Sequence, residues 1–390
     1  MQRVYFDNAA TTPILPEVIE AMTEAMRTDF GNPSSIHAEG RQVRALIERA
    51  RKTVANAIGA SIGEVFFTSG GTESNNMALK CAVRDLNVRR IISSPLEHHC
   101  VLHSLDALQL KGIEIAHVRV NGRGEVDYEH LRELLSIPSP NGRTLVSLMH
   151  ANNEIGALLD LDRVAKMCQE YGAYLHSDTV QTVGHFPIDV NETPISFLSG
   201  AAHKFHGPKG VGFVYINGDN IIKPYLDGGA QERNMRAGTE NVYGIIGMAK
   251  ALELATENMD AHRAHIESLR TYLMDELETT VPGVRFNGPG RDGGLYTVLS
   301  VNFPPSEGSE LLLLNLDIYG ISASGGSACS SGADKGSHVL QALGADPERP
   351  SVRFSFSHLN TRADVDFLLD KLVLILEVER RPTVVVNDTI

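Results

Sequence analysis

The chain opens on a polar, turn-rich stretch. Tyr5 to Pro13, YFDNAATTP, reads as an extended arm, followed by a helix from about Pro16 to Thr28. After the loop FGNPSS at Phe30–Ser35, apolar residues return at helical spacing. Val43, Leu46, Ile47, Ala50, Val54, Ala57 and Ile58 fall on one face of a helix from Gly40 to Ile58. From Glu64 the period switches. Short apolar runs predict strands over Val65–Thr68, Arg90–Ser93, Glu114–Arg119, Leu145–His150 and Ala173–Ser177. Helices over Glu73–Asn87, Val101–Lys111, Tyr128–Leu135 and Leu161–Tyr171 separate them. Two more apolar runs, Ile195–Leu198 and Val211–Ile216, flank the stretch SGAAHKFHGPKGVG. Such alternation with short connections predicts a mainly parallel sheet covered on both faces. Ligands are expected in loops at the carboxyl ends of its strands.

After Asn241 the pattern is helical until about Thr279, and Pro282, Gly283, Gly288, Pro289 and Gly290 then mark a boundary. Strands near Val284–Asn287 and Thr297–Asn302 and helices near Ser309–Tyr319 and Thr361–Val378 form a smaller α+β unit. Thr361 with Asp364 three residues on suits a helix start. The tail from Arg380 to Ile390 has no packing pattern and is expected to be disordered.

Composition narrows the function classes. A chain of 390 residues, 42% of them apolar, exceeds one ordinary core and is expected to form two domains. A net charge of −13 argues against nucleic acid or a membrane surface as a direct partner. No apolar run reaches the roughly 18 residues of a membrane span. The start, Met1-Gln2-Arg3-Val4-Tyr5, lacks the charged-then-apolar order of a secretion signal. Cys81, Cys100, Cys168 and Cys329 are far apart and form no CxxC pair, which fits a reducing compartment such as the cytoplasm.

Several polar groups fall at strand ends. Lys204 sits on a tight Gly-Pro corner, where it is either a solvated surface lysine or an amine nucleophile. Ser69 to Thr72 ends a strand and opens a helix, so it is either a plain turn or an anion cradle of backbone N–H groups. Asp178 suits a helix N-cap equally with a partner for a cationic ring nitrogen or a metal. His98, His99, Cys100 and His103 lack the outside ligand that would complete a metal set. A base, or a ring stacked on a flat ligand, fits His98 better. Cys329 lies in SASGGSACSSG, which has too few large side chains to pack a core. A thiol there is expected to be mobile, exposed and reactive. Cys81 and Cys168 lie on amphipathic helices and read as core residues, while Cys100 stays open.

Taken together, YFDNAATTP, GNPSS, TSGGTESNN, LEHH, HANNEIG, SDTVQTVG, AAHKFHGPKG, QERNMRAGTEN and GSACSSG resemble the cysteine desulfurases, from Tyr5 to about Val378. These are enzymes dependent on pyridoxal 5'-phosphate. The resemblance implies an α/β, aspartate-aminotransferase-like fold (fold type I of such enzymes). That fold has a mainly parallel seven-stranded sheet flanked by helices, plus a smaller α+β domain. It implies a large cofactor-binding domain at 16–255, a small one from 1–15 and 256–379 that carries the cysteine loop, and a tail at 380–390.

The resemblance also implies roles. Lys204 is similar to the lysine that holds the cofactor covalently. Asp178 matches the aspartate that keeps the ring nitrogen protonated. His98 matches the histidine that stacks on the ring and moves protons. Gln181 and Asn153 match residues near the ring hydroxyl, Asn153 also facing substrate. Gly71, Thr72 and His203 match the phosphate cradle. Thr239 resembles a phosphate ligand supplied by the partner subunit, which implies a homodimer. Arg353, in PSVRFS, matches the arginine that forks onto the substrate carboxylate. Cys329 would carry the sulfur of L-cysteine as a persulfide, leaving L-alanine, and pass it to an acceptor protein for iron–sulfur cluster assembly or thiolation. No metal is implied.

Three positions depart from the family pattern. Ala201 stands where many relatives carry a phosphate-bonding serine, Ser357-His358 where many carry Gly-Arg, and Ala230 in place of a glycine. An aminotransferase, a selenocysteine lyase or a cysteine/cystine lyase of the same fold is the alternative within the cofactor class. A non-catalytic sulfur-relay scaffold is the alternative outside it.

Overall fold

The computed structural model describes residues 2–306, 309, 311–325 and 336–378. The chain divides into two compact units. One comprises Ala9–Asn153 and Ala157–Ala261, the other Met1–Asn8, Glu154–Gly156 and His262–Ile390.

The larger unit begins with helices α1 (Pro16–Thr28) and α2 (Ala38–Ala57), after the two-residue strand β1 (Val4–Tyr5) of the other unit. Strand and helix then alternate through β2 (Val65–Thr68), α3 (Gly71–Asp85), β3 (Val88–Ser93), α4 (His99–Gln109) and β4 (Glu114–His117). The series continues with α5 (Tyr128–Ser136), β5 (Arg143–Ser147), α6 (Leu161–Glu170) and β6 (Tyr174–Asp178). Strands β7 (Phe197–Ala201) and β8 (Gly212–Ile216), the short turn α7 (Gln231–Asn234) and the helix α8 (Val242–Glu257) complete it.

Its sheet has seven strands in the order β2-β8-β7-β6-β5-β3-β4. Neighbours from β4 to β7 are parallel, and β8 runs antiparallel to both β7 and β2. Alternate residues of a strand point to opposite faces, and both faces here are apolar. Phe213 and Tyr215 of β8 join one buried cluster with Val43, Ile47 and Val54 of α2. Val214 and Ile216 join the other, with Met77, Leu79 and Cys81 of α3. A strand buried on both faces reads as a near-continuous apolar run, which is why its position was legible. Helices α5 and α6 start where Asp127 and Asp160 accept backbone N–H groups, from His130 and Arg163, each at 3.0 Å.

In the smaller unit, α9 (Met259–Thr280) carries most of its length, followed by β9 (Arg285–Asn287) and β10 (Val298–Asn302). Helix α10 (Leu312–Ile318), β11 (Ile321–Ser322), α11 (His338–Ala342), β12 (Ser351–Ser355) and α12 (Arg362–Leu376) follow. The order β12-β10-β9 forms an antiparallel sheet, and β1 pairs in parallel with β11. The expected helical stretch after Asn241 is two helices, because Asn258 caps α8 and the chain restarts at Met259. At Thr361 the expected cap is a full capping box: Thr361 accepts from Asp364 N at 3.2 Å, and Asp364 accepts from Thr361 N at 2.8 Å.

No helix among the described residues is long and apolar enough to cross a membrane.

Candidate active site

Lys204 lies in the corner between β7 and β8, where Ala202–Lys204 makes one 3-10 turn. The corner is tight. Ala201 pairs with Gly212, and a Cβ at Gly212 would sit 2.4 Å from Gly200 O and 2.7 Å from Gly70 Cα. Only a bare glycine lets the β2–α3 turn cross so close. The N-terminal arm braces the corner. Thr12 N donates to His203 O at 2.9 Å, and His206 N donates to Thr12 Oγ1 at 2.8 Å. The Lys204 ammonium donates to the carbonyls of Ala9 (2.5 Å) and Ala10 (2.9 Å). Gln181 Nε2 reaches the same Ala9 oxygen at 3.1 Å. Lys204 is therefore a half-buried amine held by fixed carbonyls, in contrast to the solvated alternative.

Asp178 ends β6 and is buried. It does not cap a helix: its Oδ1 accepts from Val180 N at 3.0 Å, closing an Asx-type turn. Its Oδ2 accepts from Asn75 Nδ2 at 2.7 Å. Asn75 Oδ1 then faces His176 Nε2 at 3.0 Å, and His176 Nδ1 faces Ser147 Oγ at 2.8 Å. Asn75 offers only its amide nitrogen as donor, so its oxygen requires a proton on His176 Nε2. Burial pushes His176 down to about 4, with Asp178 opposing, which keeps the imidazole neutral as that tautomer demands. The chain Ser147–His176–Asn75–Asp178 thus fixes the carboxylate from behind.

His98 is the N-cap of α4. Its Nδ1 accepts from Cys100 N at 3.2 Å and lies 3.1 Å from Cys100 Sγ. In the neutral ring the proton is then on Nε2. Its loop is tied down on the preceding side. Asn152 Nδ2 donates to Leu96 O at 2.9 Å, and Met149 N donates to Glu97 Oε1 at 2.8 Å. Burial, reinforced by Asp178, holds the Glu97 carboxyl well above the usual range. Burial and then Asp178 push the Cys100 thiol up to about 12, so it is no ready thiolate. Cys81 and Cys168 are buried.

The turn before α3 has the form of an anion cradle. Gly70 adopts φ 146° at the N-cap, and the first N–H groups of α3 follow at Gly71 and Thr72. A Cβ at Gly71 would sit 2.7 Å from Val180 Cγ2 and 3.8 Å from Ala201 Cβ. The Ala201 methyl thus faces this cradle at the position where a serine would place a hydroxyl. His203 Nδ1 lies 3.3 Å from Thr11 Oγ1. Burial, then Lys204 and Lys209, lower its pKa to about 4, so it enters contacts as a neutral ring.

Asn153 follows Asn152 in the loop that ties down Leu96. Thr239 is exposed, in a segment locked from below. Glu232 accepts from Arg51 Nη1 (2.6 Å), Arg51 Nη2 (2.9 Å) and Phe67 N (2.7 Å), with both side chains of the ion pair 2% exposed. Arg236 pairs with Glu73 of α3 at 2.8 Å. Thr239 lines a cavity of about 120 Å³ with Thr68, Ser69, Arg236 and Glu240.

In the smaller unit, Arg353 is on β12 opposite Ser300, on the edge that carries Ser351. Cys329 and the tail from 380 to 390 lie outside the described residues. Among the described residues no cluster of three or more His, Cys, Asp or Glu side chains could hold a metal. Sequence reasoning missed Asn75, His176, Glu97 and the Arg51–Glu232 pair. The signal for Asn75 was a polar pair, Ser74 and Asn75, just before the buried apolar run Met77–Leu79.

The larger unit thus offers a fixed primary amine, a buried carboxylate with two N–H donors behind it, an imidazole and a helix N-terminus. This donor set suits a planar ring that bears a phosphate and a cationic ring nitrogen. Residues 4–368 match the family model described as aminotransferase class-V. The chain is 46% identical over 380 residues to a cysteine desulfurase IscS from Dictyoglomus turgidum, covering 96% of this chain and 95% of the relative. It is 44% identical over 372 residues to a cysteine desulfurase IscS from Methanosarcina thermophila, covering 94% and 90%. A solved NifS-like protein from Rickettsia africae superimposes with a TM-score of 0.87 at 32% identity, covering 97% of this chain and 100% of that one.

Proposed function

The chain belongs to the cysteine desulfurases of the class-V aminotransferase family, and on that premise we propose which of its residues carry out the conversion of L-cysteine to L-alanine with transfer of sulfur. Pyridoxal 5'-phosphate is the cofactor of this family. When bound, it supplies an electron sink for the pair left at the substrate α-carbon.

Lys204 would hold the cofactor through its amine, and Asp178 would pair with the ring nitrogen. Support for Asp178 comes from the chain Ser147–His176–Asn75, which holds one carboxylate oxygen while Val180 N holds the other. Gly71, Thr72 and His203 would take the phosphate, and Gln181 and Asn153 the ring hydroxyl side. At Ala201 one hydroxyl is missing, which costs roughly 0.5–1.5 kcal/mol of phosphate binding, or up to about 3 kcal/mol because the phosphate is charged. Lys204 and His98 would move the substrate α-proton, His98 through Nε2, since Nδ1 is engaged by Cys100 N. Arg353 and Asn153 would bind the substrate.

Cys329 would complete the reaction. Its thiolate forms an S–S bond with the substrate sulfur while the carbon–sulfur bond of the substrate breaks, and the carbon fragment takes up a proton and leaves as L-alanine. The persulfide then passes to an acceptor protein, in iron–sulfur assembly or thiolation. The protein would act in the cytoplasm as a homodimer. Thr239 is exposed, as a residue serving a partner subunit must be, and Phe30 (77%) and Ile36 (90%) are unusually exposed apolar side chains of the larger unit.

The observation that carries this reading is the buried, pre-oriented Asp178 in the same unit as the fixed amine of Lys204. Cys329→Ala tests it. Cysteine-dependent sulfide release should collapse while the visible absorbance of the cofactor survives; turnover at the wild-type rate would refute the persulfide route.

A further inference from the structure

Arg353 meets a carboxylate of its own chain. Its Nη2 donates to Asp7 Oδ1 at 2.7 Å, with the arginine side chain 2% exposed and the aspartate 19%. Ser324 Oγ donates to the same oxygen at 2.7 Å. The backbone leaves Asp7 little choice of position. Asp7 forms a parallel bridge with Ser355, and Ser324 an antiparallel bridge with Arg353. Phe6 N donates to Ser322 O at 2.8 Å, and Ser355 N donates to Phe6 O at 2.7 Å. The arm is therefore stitched on both sides, and Asp7 is presented to Arg353 by strand pairing.

A guanidinium this buried needs a counter-charge to be tolerated. We propose that Asp7 is the internal counter-carboxylate of Arg353, a positioning residue that balances the guanidinium before substrate arrives and so moderates its hold on the substrate α-carboxylate. The proposal rests on the assignment of Arg353 to that carboxylate. An incoming anion meets a pair that is already neutral, and the attraction of Arg353 is offset by repulsion from Asp7 a few ångströms beyond. Substrate binding stays weak enough for exchange, and the site does not carry a bare buried cation when empty.

The test is Asp7→Asn, which keeps the shape and the acceptor oxygen and removes the charge. KM and kcat for L-cysteine are measured, together with calorimetric affinities for L-alanine and for cysteamine, which has the amine and thiol but no carboxylate. The expected result is that KM for L-cysteine and the Kd for L-alanine fall roughly tenfold, the scale of one screened like-charge contact, while cysteamine affinity stays the same. Asp7→Ser, which is smaller and also uncharged, should repeat the shift. The proposal is overturned if the L-cysteine and L-alanine constants stay the same or rise, or if cysteamine shifts equally. Arg353→Lys checks the underlying assignment separately: an unchanged KM there removes Arg353 from the substrate site, whatever Asp7 does.

Discussion

Glu232→Ala removes the carboxylate on which the Thr239 segment is locked. Three donors converge on it, Arg51 Nη1 and Nη2 and the backbone N–H of Phe67, at 2.6, 2.9 and 2.7 Å. Arg51 also donates to Val65 O at 3.0 Å and lies over the Phe67 ring at 4.5 Å, so it cannot follow the loss by swinging into water. The variant leaves the buried guanidinium with only the part-exposed Glu48, 3.2 Å from Arg51 Nε, as a counter-charge, which costs up to about 3 kcal/mol. The segment is strained already, since Glu232, Arg233 and Asn234 have φ of 44°, 55° and 65°. Alanine at 232 inherits that left-handed backbone without the contacts that enforce it. Urea denaturation of cofactor-free protein measures the loss without ligand linkage. Arg51→Met with Glu232→Leu in one chain should recover at least half, because no charge is then stranded. A Glu232→Ala midpoint equal to wild type, or a double variant no better than the single one, would refute the account of the latch.

Two further outcomes follow from the same geometry. Stability should fall as pH drops from about 6.5 to 4. His150, His176 and His203 are held near 4 when folded, so between these values the unfolded chain binds protons that the folded one does not. Each costs roughly 2 kcal/mol between pH 7 and 5, and urea midpoints at the two pH values, compared with those of His176→Asn, measure one share. Gly71→Ala should weaken cofactor binding about tenfold, because its Cβ meets Val180 Cγ2 at 2.7 Å and displaces the cradle or the Asp178 turn. Titration of cofactor-free protein by visible absorbance checks it, and unchanged affinity would contradict the crowding argument.

The larger unit was legible because its information is local. Buried strands announce themselves as apolar runs, and the helix expected over about Pro16–Thr28 has those ends in the structure. Lys204, Asp178 and His98 stood out as candidates because each follows such a run. The smaller unit was harder. Strand β12 alternates Val352 and Phe354 with Arg353, but five residues with a charge at the centre carry no clear strand signal until β10 is seen beside them. The pairing of Asp7 with Ser355 spans most of the chain and has no local signature. The same holds for Arg51 with Glu232 and for Asn75 with Asp178. Each is a polar residue on a helix or turn whose meaning is set by a distant partner, and periodicity carries no trace of that.

The central claim is that Cys329 takes the sulfur of L-cysteine. Mass spectrometry of the Cys329 peptide, after incubation of the holoenzyme with L-cysteine and alkylation, tests it most directly. The account predicts a mass gain of one sulfur atom on that peptide, absent in Lys204→Ala. An unmodified Cys329 peptide from enzyme that is releasing L-alanine would contradict it.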